Sequence, residues 1–158
     1  MNRHVNIKQR EYDRLYKEMD DLYHAVAKEE GLSDSALIIF YEIYELGDGC
    51  LQKEICERAF VSKQTIHSSI HNLERDGYLR LEKSNGRDRR IHLTTKGEKL
   101  VNEKVVPIIC AENAVFEEMT EKETDELLRL SAKYLCILRQ KLADRTHITD
   151  PDYFSHGS

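Results

Sequence analysis

The spacing of apolar residues along the chain divides it into segments before any motif is considered. From Ile7 to Glu30, Tyr12, Leu15, Tyr16, Met19, Leu22, Tyr23 and Val26 recur at three- and four-residue steps. That period predicts an amphipathic helix, stopped near Gly31. Ser33 is placed to cap a second helix through SALIIFYEIYEL, apolar nearly all round and so expected to be buried. It ends in the turn GDG. Leu51 to Phe60 predicts a short third helix with Leu51, Ile55, Cys56 and Ala59 on one face. Ser62 then caps a fourth helix whose inward seam is Ile66, Ile70 and Leu73, and Gly77 ends it in a left-handed C-cap. The alternation of Leu79 and Leu81 within Tyr78–Lys83 predicts a half-buried strand, and Ile91 and Leu93 its return. Asn85-Gly86 is a hairpin signal between them. Thr95 is expected to cap a long helix to about Met119, kinked at Pro107. A capping box, TEKE at Thr120 to Glu123, opens a last helix rich in leucine. The tail from about Arg145 has no periodicity, and segment 145–158 is expected to be mobile.

The fourth helix carries an unusual outer surface. Opposite its seam stand Gln64, Ser68, His71 and Arg75, flanked by Lys63, Thr65, His67 and Asn72. Short helix, tight turn, second helix and hairpin follow one another in the order of a winged helix-turn-helix, which frees that polar face to enter a major groove.

Composition sharpens this reading. The 158 residues fit one domain, or one domain with extensions; 34% are charged and 40% apolar, which points to long surface helices or an oligomer. The net charge is −5, which argues against nucleic acid until its distribution is considered. Leu51 to Gly97 carries ten Lys/Arg against six Asp/Glu, while the remainder is acidic. A basic segment inside an acidic chain is the electrostatic footprint of a nucleic-acid binder. No apolar run reaches the roughly 18 residues that span a bilayer, and the polar N-terminus is no signal peptide. A cytoplasmic protein with no membrane partner is expected.

The four cysteines, Cys50, Cys56, Cys110 and Cys136, have no CxxC spacing, which speaks against a disulfide framework or a zinc knuckle. Three lie in apolar helical settings expected to be core, while Cys50, in GDGC, is expected to be exposed.

With these residues in place, the chain resembles the MarR family of winged helix-turn-helix bacterial transcriptional regulators. The similarity runs from the helix at Ile7 to the one ending near Asp144. It is most specific in Leu73-Glu74 with Gly77, Asp88 with Arg90, and Leu93-Thr94-Thr95-Lys96-Gly97. The resemblance implies a mainly α fold with a small β-hairpin wing, flanked by N- and C-terminal dimerisation helices. The winged helix would be 33–95, and 1–32 with 96–144 the dimerisation region. It also implies a homodimer on double-stranded DNA, a pseudo-palindromic operator, and wing arginines in the minor groove.

Side-chain chemistry then suggests roles. Gln64 suits adenine, Thr65 a thymine methyl or a hydrogen bond, and His67, Ser68 and His71 the N7 or O6 of purines. Lys63 and Arg75 suit phosphates. In the wing, Asp88 is expected to pair with one arginine, Arg90, while Arg87 or Arg89 reaches the groove. His67 and His71 stand at a spacing that can share a metal, but nothing nearby completes a site, so no metal and no cofactor are expected. Tyr12, Tyr16, Tyr23, Phe40, Tyr41 and Tyr44 are either core or, by the resemblance, the lining of a pocket for a small aromatic or lipophilic effector. Peroxide-sensing relatives use a cysteine in the first helix; its absence here speaks against a thiol sensor. No phosphate loop, nucleophile motif or carboxylate pair indicates an enzyme. The function expected is sequence-specific transcriptional regulation, repression in particular; the competing reading is a winged helix kept for protein–protein contact.

Overall fold

A computed structural model describes residues 6–59, 61–84 and 88–146. It holds α1 (Ile7–Glu29), α2 (Asp34–Leu46), α3 (Gln52–Arg58), α4 (Lys63–Arg75), β1 (Leu79–Lys83), β2 (Arg89–Leu93) and α5 (Thr95–Leu100). A π-helical turn, Val101–Val105, leads to α6 (Val106–Glu118) and α7 (Glu121–Thr146). The fold is therefore mostly helical with a two-stranded antiparallel hairpin, the architecture of a winged helix. The chain divides into two compact units, Met1–Val105 and Val106–Ser158.

The first unit is built on α2. Ser33 caps it by accepting from the Ala36 N–H at 3.2 Å, and Ile39, Phe40 and Ile43 are buried. Against it pack α1, α3 and α4, together with the π-turn. Ile55, Ile66, Ile70, Ile91 and Val105 complete the fully buried set. At about 1.5–3 kcal/mol for each such side chain, this cluster is the principal source of stability. At α3 the Glu54 carboxylate accepts from the Leu51 N–H at 2.6 Å, one half of a capping box. Leucine has no oxygen to supply the other half.

The hairpin pairs Leu79 with Leu93 through Lys83 with Arg89. A third segment joins it. The Gly49 N–H donates to the Ile91 carbonyl and the Ile91 N–H to the Cys50 carbonyl, both at 2.9 Å, and Leu51 bridges antiparallel to Arg90. The turn after α2 thus pairs with β2 and roots the wing in the core. Asn85 and Gly86, the hairpin signal, lie outside the described residues, as does the tail beyond 146.

The motif after β2 has a structural task at the end of α4. The last carbonyls of a helix lack partners within it, and here the next element supplies them. Lys96 Nζ donates to the Asp76 carbonyl at 2.9 Å and sits 4.0 Å above the Tyr78 ring. The Thr94 hydroxyl donates to the Gly77 carbonyl at 2.7 Å, with Gly77 at φ +79°. Thr94 also caps α5, accepting from the Gly97 N–H at 3.1 Å; the cap is thus Thr94 rather than the expected Thr95. The backbones approach so closely that only glycine fits at 97.

The expected long helix is interrupted before its proline rather than kinked at it. Pro107 has no N–H for the carbonyl four residues back, and a turn of π spacing lets carbonyls bond one residue further along. In the second unit, the TEKE capping box forms: Thr120 N–H donates to the Glu123 carboxylate at 3.0 Å, and Glu123 N–H to the Thr120 hydroxyl at 3.3 Å. Within that unit α7 buries none of its described residues, and Leu127, Leu128, Leu130, Leu135, Ile137, Leu138 and Leu142 are exposed.

Gly97→Ala places a Cβ 2.2 Å from the Tyr78 carbonyl oxygen and 3.1 Å from Leu93 Cδ2. Helix propensity alone would make the change favourable by about 1 kcal/mol. Urea denaturation at equal protein concentration should instead show a loss of about 1–3 kcal/mol; a gain would mean that the backbones do not approach so closely at Gly97.

Candidate nucleic-acid interface

The outer face of α4 is prepared by what its inner face buries. Ile66, Ile70 and Leu73 turn inward with Ser69, and the Ser35 hydroxyl of α2 donates to the Ser69 hydroxyl at 3.2 Å. That polar contact fixes the rotation of α4 about its own axis. Lys63, Gln64, Thr65, His67, Ser68, His71 and Arg75 are consequently all exposed. Ser62 caps the helix, accepting from the Thr65 N–H at 3.1 Å, and its hydroxyl lies 2.8 Å from that of Thr65. The Thr65 hydroxyl is therefore engaged at the cap, which leaves its methyl as the group free for a thymine.

Other side chains on this face are tied to protein partners. Arg75 Nε donates to the Asp76 carboxylate at 3.2 Å, and His71 Nδ1 lies 3.6 Å from Glu74. Both pairs are exposed, so they are weak and readily exchanged for phosphates. His67 is held differently. Gln52, at the start of α3 and only 8% exposed, sets its amide nitrogen 2.5 Å from His67 Nδ1. Neither Gln52 nor Ser69 was expected in the site; each makes its contact between two helices, which periodicity along one helix does not reveal. Among the described residues no cluster of three or more His, Cys, Asp or Glu is placed to hold a metal.

At the wing, Arg89 is exposed beside Lys83. The expected Asp88–Arg90 pair is not formed: Arg90 Nη1 donates instead to the Gly49 carbonyl at 2.8 Å. That carbonyl belongs to the turn paired with β2, and the guanidinium reaches it at no cost to the strand. The Asp88 backbone carbonyl accepts from the Ser84 N–H at 3.0 Å, which closes the hairpin. Arg87 lies outside the described residues. A second anchor lies at the wing root. Asp48 accepts from the Leu93 N–H at 2.7 Å and lies 2.9 Å from His92 Nδ1, while Glu82 is 3.5 Å from His92 Nε2. Burial pushes the Asp48 carboxyl up, but the bonds from His92 and the Leu93 N–H outweigh it, with the charges of His92 and Arg80, and hold it below its ordinary value.

The six aromatics differ in exposure. Phe40 is fully buried and meets the Tyr78 ring edge-on, with centroids 6.1 Å apart. Tyr41 is half-buried, whereas Tyr12, Tyr16, Tyr23 and Tyr44 are 42–63% exposed. None of them lines the cavity beside α4. This is an open groove of about 630 Å³ between the start of α2 and the outer face of α4, with Ser33, Ser35, Gln64, Ser68, Asn72 and Asp76 on its walls.

The cysteines also depart from expectation. Cys50 is buried, because its backbone pairs with β2 and draws it inward. Cys110 and Cys136 are exposed, not core. Burial, aided by the carboxylates of Glu54 and Asp48, pushes the Cys50 thiol up to about 11.

Residues 30–91 match the model of the MarR family. No curated protein sequence matches the chain. Among solved structures, the chain is similar to MepR of S. aureus in its complex with DNA, with 20% identity, a TM-score of 0.66, and coverage of 85% of this chain and 99% of that one. A MarR family regulator of Streptomyces coelicolor, also solved with DNA, gives 18% identity and a TM-score of 0.62 over 85% of this chain and 92% of that one. NadR in complex with 4-hydroxyphenylacetate gives 18% and 0.63 over 85% and 95%. At these identities the likeness establishes a shared fold, that of MarR-type winged-helix regulators.

Because the thiolate is the reactive form, Cys50 should resist iodoacetamide at pH 8, where only about a thousandth of it is ionised. Its labelling should climb as the pH rises toward 11. Mass spectrometry of the alkylated native protein provides the check; prompt labelling of Cys50 at pH 8 would contradict its placement.

Proposed function

We propose that this chain, which carries a MarR-family winged helix, is a sequence-specific DNA-binding transcriptional regulator acting as a homodimeric repressor. One observation carries the reading: a helix locked in rotation by a buried seam presents an unbroken polar face, beside a hairpin whose exposed side chains include Lys83 and Arg89. Gln64, the Thr65 methyl, His67, Ser68 and His71 would face base edges in the major groove. Lys63, Arg75 and the wing cations would hold phosphates or the adjacent minor groove, which sets register without reading sequence. Arg90 serves the wing itself through Gly49.

The dimer is supported by apolar surface. On α1, Leu15, Tyr16, Met19 and Leu22 are more than half exposed, and in the second unit α6 and α7 leave Val115, Phe116 and the leucines of α7 uncovered. Monomeric proteins rarely leave patches of this kind in water. Two-fold pairing then calls for a pseudo-palindromic operator with half-sites about one helical turn, roughly 10 bp, apart. Because NadR was solved with 4-hydroxyphenylacetate, a small aromatic effector is the ligand class to screen. Such an effector would release DNA if it bound better to a dimer whose two α4 helices are wrongly spaced. No described helix is long and apolar enough to cross a membrane; the cytoplasm, where the DNA lies, is the compartment that the proposed regulator calls for.

The experiment is selection of duplexes from a random pool by the purified protein, followed by titration of the best binder at several salt concentrations. A two-fold-related motif and a steep loss of affinity with salt are expected. No enrichment by a folded dimer would favour a winged helix used for protein contact. Arg89→Ala should weaken all sequences alike and reduce the logarithmic salt slope by about 0.9 for each phosphate that the arginine neutralises. Gln64→Ala should change preference at one position per half-site, worth about 1–3 kcal/mol; a uniform loss would reassign Gln64 to the DNA backbone.

A further inference from the structure

We propose that Gln52, a buried residue of α3 outside the DNA-facing surface, selects the tautomer of His67 and thereby decides which base edge this histidine accepts. The inference deepens the DNA-binding reading and rests on it for its second half. Neutral histidine is an ambivalent reader, since one ring nitrogen donates while the other accepts, and the two can exchange roles. On an exposed helix nothing settles which nitrogen holds the proton. Here a neighbour does. The amide nitrogen of Gln52 has two N–H donors and no acceptor, and it lies 2.5 Å from His67 Nδ1. Gln52 therefore donates, Nδ1 accepts, and the ring proton resides on Nε2.

The two ends of this contact differ in environment. Gln52 is only 8% exposed, so its amide exchanges poorly with water and an unmade bond would be costly. His67 is exposed on the face that also carries Gln64, Ser68 and His71. The glutamine thus grips one edge of the ring and leaves the other outward, bearing a single N–H. In a major groove that donor finds acceptors in guanine N7 and O6, adenine N7 and thymine O4. It meets only another donor at cytosine N4. The opposite tautomer would present an acceptor there, suited to the N4 amino group of cytosine and the N6 amino group of adenine but not to guanine or thymine. Gln52 is in this sense a positioning residue: it acts on DNA through His67 and touches no base.

Two measurements test this with the full-length protein. The first is long-range ¹H–¹⁵N correlation of the histidine rings at pH 8 without DNA, with His67 assigned by loss of its signals in His67→Ala. Nδ1 should be pyridine-like and Nε2 pyrrole-like, and in Gln52→Met, which keeps the side-chain volume, the two should move toward their exchange average. A protonated Nδ1 in the native protein, or identical spectra in the two proteins, overturns the proposal. The second is duplex selection by both. Native protein should disfavour cytosine at one position per half-site on the order of three- to tenfold. Gln52→Met should lose that discrimination at the position His67→Ala also affects, leaving the position read by Gln64 unchanged. A uniform loss across positions would make Gln52 merely structural and refute its role in specificity. If native protein enriches no sequence, the regulator reading fails, and the tautomer assignment is still decided by the spectra.

Discussion

The contact on which the rest of the molecule depends is the burial of Ile66, Ile70 and Leu73 against the core built on α2. Ile66 and Ile70 are wholly excluded from water, and nothing else along α4 could replace that contribution, since its remaining side chains are polar. The seam is narrow, so by itself it permits some rotation of α4 about its axis. The Ser35–Ser69 hydrogen bond beside it and the Gln52–His67 contact on the other flank remove that freedom. A helix proposed to read bases needs this, because a side chain must meet a base edge to within about 0.5 Å. The ends of α4 are equally determined, by Ser62 at its start and by Lys96 and Thr94 at its finish.

The wing is fixed by the same economy of means. A two-stranded hairpin alone is marginal in water. Here the stretch Gly49 to Leu51 adds a third paired segment, and Arg90 and Asp48 fasten side chains across the junction. The turn that ends α2 therefore touches both elements of the proposed DNA-binding surface: it leads into α3, which carries Gln52, and it pairs with β2. A change in how α2 sits would be felt by helix and wing together. This is the mechanical basis on which an effector or the dimer could alter DNA affinity, and α2 is where such coupling should be sought.

Local patterns made most of this legible in the sequence. The Ile66/Ile70/Leu73 period located α4 and its polar face, Gly77 located its end, and the alternation around Leu79 and Ile91 located the wing strands. Contacts between elements were harder to read. Asp88 and Arg90 lie two residues apart and invite pairing, yet a carbonyl forty-one residues away takes the arginine, because strand pairing brings Gly49 alongside β2. The same pairing buries Cys50, whose glycine and aspartate neighbours suggest a water-exposed turn. The tyrosines of α1 recur with the helix period, but periodicity tells which face they share and not what covers it. Pro107 signalled an interruption; only the backbone shows that it takes the form of a π-turn at Val101–Val105.

The outer face of α4 is proposed to read the major groove. Methylation interference on a selected duplex addresses it most directly, since dimethyl sulfate modifies guanine N7 in the major groove and adenine N3 in the minor groove. The expected result is two clusters of blocking N7 methylations, related by two-fold symmetry, about one helical turn apart, with N3 interference at the flanks where the wings lie. Interference confined to adenine N3, with guanine N7 methylation tolerated throughout both half-sites, would contradict it.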